Sequence, residues 1–175
     1  MIVSIFFIVI IGVIIFEYIL SFAVRTLNLK ALRTKLPDEF LDVYDKDRYA
    51  ISQEYAKTNS KFSYITSTFS LILGLVFIFS GFYNVLDLYA RSLGFSSEAV
   101  TGLFFFGFLF IINDILSLPF SIYRTFVIEE KYGFNKTTYS TFFTDKIKQY
   151  FLVIIIGGPL IYMIILFFNI FDGYA

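Results

Sequence analysis

The chain has 175 residues, of which 58% are hydrophobic and only 16% charged, against roughly 45–50% and about 25% in a soluble domain. It carries 25 Phe and 13 Tyr, no Trp, Cys or His, and 14 basic residues that balance 14 acidic ones. That excludes a disordered chain, a disulfide-stapled secreted domain, a thiolate zinc site, catalysis by Cys or His and, with no net positive charge, a nucleic-acid binder; what remains is a membrane protein.

Four apolar stretches follow one another. Residues 1–24 carry one charge, Glu17; residues 62–86 carry none; residues 100–118 carry one, Asp114; residues 150–171 carry none. Each has about the ~20 residues a helix needs to cross ~30 Å of hydrocarbon. Four such stretches leave too little polar sequence to cover them as buried helices of a soluble protein. The expected fold is all-α, a polytopic membrane helix bundle with four transmembrane helices plus amphipathic cytoplasmic helices, in a single membrane domain over 1–175. The first stretch has no positive charge ahead of its apolar run, and that run exceeds the ~7–15 residues of a signal peptide core. It reads as an uncleaved helix with its N-terminus outside.

The basic residues set the orientation. Segment 25–61 holds Arg25, Lys30, Arg33, Lys35, Lys46, Arg48, Lys57 and Lys61, and segment 119–149 holds Arg124, Lys131, Lys136, Lys146 and Lys148. Segment 87–99 holds only Arg91, and the tail after Phe171 holds none. The positive-inside bias puts 25–61 and 119–149 in the cytoplasm.

In the first of these segments Pro37 suits the opening turn of a helix, with Asp38 and Glu39 at the positive end of its dipole. Phe40, Tyr44, Ile51, Tyr55 and Phe62 then recur at steps of four or seven, one stripe of an amphipathic helix whose other face carries Asp42, Asp45, Lys46 and Lys57. This helix reads first as a solvated element packed on its neighbours, and second as a surface for a substrate or partner domain. In the second segment Pro119 disfavours a straight continuation of the third span. Gly133-Phe134-Asn135 is a turn signal, and Thr137 or Thr138 is placed to cap a new helix carrying Asp145 and Lys148 at i, i+3. Gly157-Gly158-Pro159 predicts a kink in the last span.

The ionisable residues inside the apolar stretches are Glu17 and Asp114. A carboxylate at membrane depth is costly unless protonated, paired or hydrated, so it usually faces an interior. Glu17 has three open readings: it reaches the cytoplasmic interface, it lines a polar chamber, or it serves proton-coupled transport. Asp114 lies toward the cytoplasmic side of its span and is a second candidate chamber-lining residue. Asn113 beside it is expected to bond across helices. Glu129-Glu130 is a close carboxylate pair, but neighbours on a helix diverge by about 100°, so they do not converge as an acid–base pair. Ion pairing with Arg124 or Lys131 is their expected role. No Ser/His/Asp set, phosphate loop or EF-hand is present.

The run LPDEFLDVYDKDRYAISQEYAKTNSKFSYITSTFSL, residues 36–71, and the run LPFSIYRTFVIEEKYGFNKTTYSTFFTDKIK, residues 118–148, resemble the N-terminal membrane region of the type I CAAX prenyl protease family. The second run is the more specific, and the likeness covers nearly the whole chain, the first 24 residues being least distinctive. The resemblance implies a helical membrane barrel around a water-filled chamber, in a family of integral-membrane zinc metalloproteases that cut near a prenylated C-terminal cysteine. It also implies an HExxH helix and a further Glu ligand C-terminal to the region matched here. In such a helix two His at i, i+4 share a face and bind zinc, while the Glu activates a metal-bound water.

With no His, none of those ligands carries over, so no cofactor is expected in this chain, and zinc belongs to a catalytic portion outside it. The expected partners are the lipid bilayer, that metalloprotease portion in cis or trans, and a peptide or lipidated-peptide substrate. The expected location is a bacterial inner membrane, or the endoplasmic reticulum for a eukaryotic chain. Arg124, Glu129, Glu130, Gly133, Asn135 and Asp145 mark the most distinctive segment and are expected in docking roles: ion pairs that hold the loop, and a turn needing Gly or Asn at positive φ. The short polar end Asp172-Gly173-Tyr174-Ala175 reads as the start of a loop, favouring an N-terminal piece of a protease that is inactive alone. Two alternatives stay open: a stand-alone membrane adaptor or pseudo-protease, and a small four-helix transporter.

Overall fold

The computed structural model describes residues 5–33, Leu36 and residues 45–171. The expected helix start at Pro37, Asp38 and Glu39, the stripe positions Phe40 and Tyr44, and the tail 172–175 lie outside the described residues. Among the described residues the fold is helical throughout: α1 (Ile5–Ala31), α2 (Lys46–Phe79), α3 (Phe82–Ser92), α4 (Glu98–Tyr123), α5 (Tyr139–Leu152) and α6 (Gly158–Phe171). Two π-helical turns, Arg124–Glu129 and Val153–Gly157, extend α4 and join α5 to α6. Four helical stretches are long and apolar enough to cross a membrane: Ile5–Ala31, Lys46–Phe79, Glu98–Glu129 and Tyr139–Phe171.

Their surfaces explain why. No residue of α1, α5 or α6 is buried, and α1 presents Ile5, Phe6, Ile8, Val9 and Phe16 outward. In water this would be untenable. In hydrocarbon it costs nothing, because the helix satisfies its own backbone and lipid covers its side chains.

The helix boundaries follow local chemistry. The amphipathic stretch from Lys46 runs unbroken into the apolar half of α2. The apolar stretch 62–86 is interrupted at Gly81, where φ is +73° and α3 begins. Pro119 does not end its helix, contrary to expectation: α4 passes through it to Tyr123 and on to Glu129. Neighbouring helices, side-chain donors and local adjustments of the helix tolerate proline in membrane helices better than water does. Ahead of Pro159 the expected irregularity takes the form of the π turn Val153–Gly157. Proline cannot donate to the carbonyl four residues back and crowds it, and a wider turn relieves both. Thr138 caps α5, its Oγ1 accepting from the Thr141 N–H at 3.2 Å.

The chain divides into two compact units. The first is Met1–Phe77 with Ile122–Asn135. Here Tyr18, Phe22 and Thr26 form one face of α1. The Tyr18 hydroxyl pairs with Thr68 Oγ1 at 2.7 Å, Thr26 Oγ1 with the Tyr64 hydroxyl at 2.8 Å, and the Phe22 and Tyr64 rings lie 4.7 Å apart. Position 18 meets 68 and 26 meets 64, so α1 and α2 run antiparallel.

The second unit is Ile78–Ser121 with Lys136–Ala175. The short helix α3 buries Leu86 and Ala90, one turn apart. Arg91 at its end pairs with Asp87 at 2.8 Å and with Glu98, at the start of α4, at 3.0 Å. Phe95 stacks on Phe104 at 4.6 Å, and Tyr89 meets Phe108 at 5.3 Å. Farther along, Gly102 lies so close to α6 that an added Cβ would stand 2.7 Å from Ile165 Cδ1. The α4 helix runs antiparallel to the α5–α6 stretch, with 102 near 165 and 114 near 146.

Candidate functional site

Two polar clusters occupy the apolar framework, one in each unit. In the first, α2 holds the segment 122–135. Tyr55, Thr58 and Phe62 project from one face of α2, at the spacing of the amphipathic stripe. Phe62 is 8% exposed and stacks on Tyr123 at 5.1 Å. Tyr55 meets the edges of Tyr132 and Phe134 at 5.7 and 4.8 Å, and Thr58 Oγ1 shares a 2.6 Å hydrogen bond with the Tyr132 hydroxyl.

The segment is shaped for this by its own turn. Gly133 has φ +73°, the Phe134 N–H donates to the Glu129 carbonyl at 2.9 Å, and the Gly133 N–H donates to the Glu130 carbonyl at 3.0 Å. This is a Schellman closure of a helix end, in which a left-handed residue lets two otherwise orphaned carbonyls be satisfied and delivers an apolar residue, here Phe134, to a neighbour. Asn135 locks it further, with Nδ2 donating to Glu130 Oε2 at 2.8 Å and its N–H to the Glu129 carbonyl at 3.2 Å.

The ion pairs expected of Glu129 and Glu130 are not what holds this segment. No ion pair among the described residues joins either one to Arg124 or Lys131. The Glu130 carboxylate is taken by Asn135, while the Arg124 guanidinium lies over the Phe62 ring at 5.9 Å and the Lys131 ammonium over the Tyr132 ring at 5.2 Å. Both cations are exposed, and an aromatic face offers each an attraction that needs no carboxylate. Asp145 lies in the other unit, exposed and paired with Lys148 at 3.0 Å within α5.

The second cluster centres on Asp114, 9% exposed. Its Oδ1 accepts from Lys146 Nζ at 2.5 Å and its Oδ2 from the Tyr150 hydroxyl at 2.7 Å. Lys146 and Tyr150 stand one turn apart on α5, and the Phe110 ring meets Tyr150 edge-on at 6.0 Å. Asp114 lies on α4 ahead of Pro119, within the helical stretch Glu98–Glu129. A charge there demands a partner, and both carboxylate oxygens have one. Asn113, expected to bond across helices, instead donates to the Leu109 carbonyl of its own helix at 2.8 Å. Glu17 is exposed on α1.

Sequence reading singled out Asp114 but missed Lys146 and Tyr150. The signal was there: a lone carboxylate in an apolar stretch needs a cation, and Lys146 is a basic residue one turn ahead of the last apolar stretch.

Chemically, both clusters join helices. Among the described residues no three His, Cys, Asp or Glu side chains converge to hold a metal ion, and the chain has neither His nor Cys. The residues present do not fit a zinc centre, and Asp114, held by Lys146 and Tyr150, is no free base.

Fold and clusters together define a polytopic helical membrane domain whose polar side chains assemble helices. More specifically, the chain belongs to the CAAX prenyl protease N-terminal family, described as having five membrane helices, whose model matches residues 25–175. Both runs that carried the resemblance fall inside that match. The chain is 31% identical to the CAAX prenyl protease 1 homolog of Dictyostelium discoideum over 170 residues, covering 94% of this chain and 40% of that protein. It is 35% identical to CAAX prenyl protease 1 of Saccharomyces cerevisiae over 154 residues, covering 83% of this chain and 33% of that one. The crystal structure of Ste24p from S. mikatae superposes with a TM-score of 0.78 at 31% identity, over 94% of this chain and 39% of that one. The chain thus spans between a third and two fifths of these relatives' length.

Proposed function

We propose that this chain is the N-terminal membrane part of a prenyl-protease-type zinc endopeptidase and supplies scaffold, not chemistry. Its helices form part of the wall of a membrane chamber. A zinc-bearing portion, in cis or in trans, supplies the HExxH helix, and the scaffold's contribution to rate is to hold that portion and a peptide or lipidated-peptide substrate in register. The observation that carries this reading is the match to 33–40% of proteins named CAAX prenyl protease 1 by a chain with no His and no Cys. The distribution of Lys and Arg supports a cytoplasmic location for 25–61 and 119–149, with the N-terminus outside.

The test is reconstitution. The purified 175-residue chain is expected to bind no stoichiometric zinc and to cleave no peptide, and to become part of an active enzyme only with the metalloprotease portion present. Peptide hydrolysis by the chain alone overturns the proposal. The absence of native Cys makes orientation testable with one introduced thiol: a membrane-impermeant maleimide should reach position 48 or 136 from the cytoplasmic side only.

A further inference from the structure

The first unit contains a feature that neither joint uses. A cavity of about 450 Å³ opens between α1 and α2, lined by Leu20, Ser21, Val24, Arg25, Asn28 and Ser60. Its volume lies within the roughly 300–1,000 Å³ of ligand sites. Arg25 Nη1 is buried without a hydrogen-bond partner, and Arg25 makes no ion pair among the described residues; its guanidinium lies over the Tyr64 ring at 5.6 Å. The ring shields the cation but gives the buried Nη1 no acceptor. Asn59, next to Ser60 in the chain, holds the other unpartnered buried polar atom among the described residues, its Oδ1. A buried guanidinium N–H without an acceptor is costly, and its placement on this cavity points to a ligand that brings one.

The ligand's chemistry follows from where the cavity lies on each helix. Arg25 directly follows the apolar stretch of α1 that ends at Val24, and Ser60 shortly precedes the apolar stretch of α2 that begins at Phe62. Both helices therefore place the cavity at the boundary between hydrocarbon and headgroups. Along α1 the lining is Leu20, Ser21 and Val24 on the membrane side, with one hydroxyl among apolar side chains, and Arg25 and Asn28 toward the helix end. That gradient matches a lipid, with its acyl chains below and its phosphate above, better than a free anion.

We propose that the α1–α2 cavity binds the phosphate headgroup of an anionic phospholipid from the leaflet at the Arg25 end of α1, with Arg25 as the phosphate ligand. Native mass spectrometry of the purified full chain, titrated with phosphatidylglycerol, should show one tightly retained lipid. Arg25→Gln is expected to weaken retention about fivefold, the effect of one cation at a lipid surface. Ser60→Leu, which fills the cavity from α2 and leaves the charge in place, should weaken it as well and carries the test if Arg25→Gln does not fold. Lys30→Gln, on the exposed end of the same helix, should leave retention unchanged. Equal loss in Lys30→Gln and Arg25→Gln would reduce the site to diffuse surface charge and overturn the proposal. So would unchanged retention in both cavity variants, or inorganic phosphate protecting the protein against heat as well as phosphatidylglycerol does.

Discussion

The joint between α2 and segment 122–135 and the joint between α4 and α5 do the same work with opposite materials. The first uses rings and hydroxyls: Tyr55, Thr58 and Phe62 against Tyr123, Tyr132 and Phe134. The second uses an ion pair, Asp114 with Lys146, and one phenol, Tyr150. The difference tracks access to water. Tyr55 and Thr58 lie on the polar half of α2, where a hydroxyl that loses its partner can turn to water. Asp114 is only 9% exposed, so a carboxylate there that loses its partner has no water to turn to. Neutral contacts within reach of water are adjustable, while a buried charge makes its partner obligatory.

The strongest way to expose that contrast is Lys146→Met, which strands Asp114. It should cost about 3–5 kcal/mol, the penalty for breaking a buried pair from one side, read as a fall in unfolding midpoint in detergent. Adding Asp114→Asn should recover most of it, since the uncompensated charge is gone. A double variant as unstable as the single one would mean that the pair is not the joint.

Gly133→Val acts on the other joint. A β-branched residue at φ +73° strains the turn by roughly 1–2 kcal/mol, and the Schellman closure that delivers Phe134 to Tyr55 should loosen. Faster proteolysis or hydrogen exchange within 122–135, with metal content unchanged, is the expected readout. A smaller effect is expected from Thr58→Val and Tyr132→Phe, whose double-mutant cycle should give a coupling of about 0.6 kcal/mol, the average for hydrogen bonds between membrane helices.

The smallest effect concerns Arg91, in the polar segment between the second and third spans. Asp87 first, and Glu98 after it, hold its guanidinium above the ordinary arginine value through hydrogen bonds. A raised value in the folded state means that any stabilisation is complete below the ordinary range and lost only as pH climbs through the raised value. The stability difference between Arg91→Gln and the unaltered protein should therefore stay constant between about pH 7 and pH 10. The pair is exposed, so the difference should also shrink with added salt.

Much of this was legible from residue pattern. Glycine at 133, threonine at 138 and the spacing of Tyr55 and Phe62 announce a left-handed turn, a cap and a packing stripe through local sterics and hydrogen bonding alone. Pro119 misled, because the rule that proline ends helices is a rule about water, and α4 passes through it. The Glu129 and Glu130 pairings misled for another reason: sequence proximity offers Arg124 and Lys131, but the fold brings Phe62 to the first, and Tyr132 takes the second.

By itself the amino-acid sequence determined that four apolar helices must exist, where the turn at Gly133 and the start of α5 fall, and that no imidazole or thiolate chemistry resides here, because composition and short-range sterics are local properties. Which polar groups meet was decided only in three dimensions. Asp114 and Lys146 are thirty-two positions apart, Thr58 and Tyr132 seventy-four, and no periodicity connects partners at such distances. Only the packing of one helix on another brings them within reach.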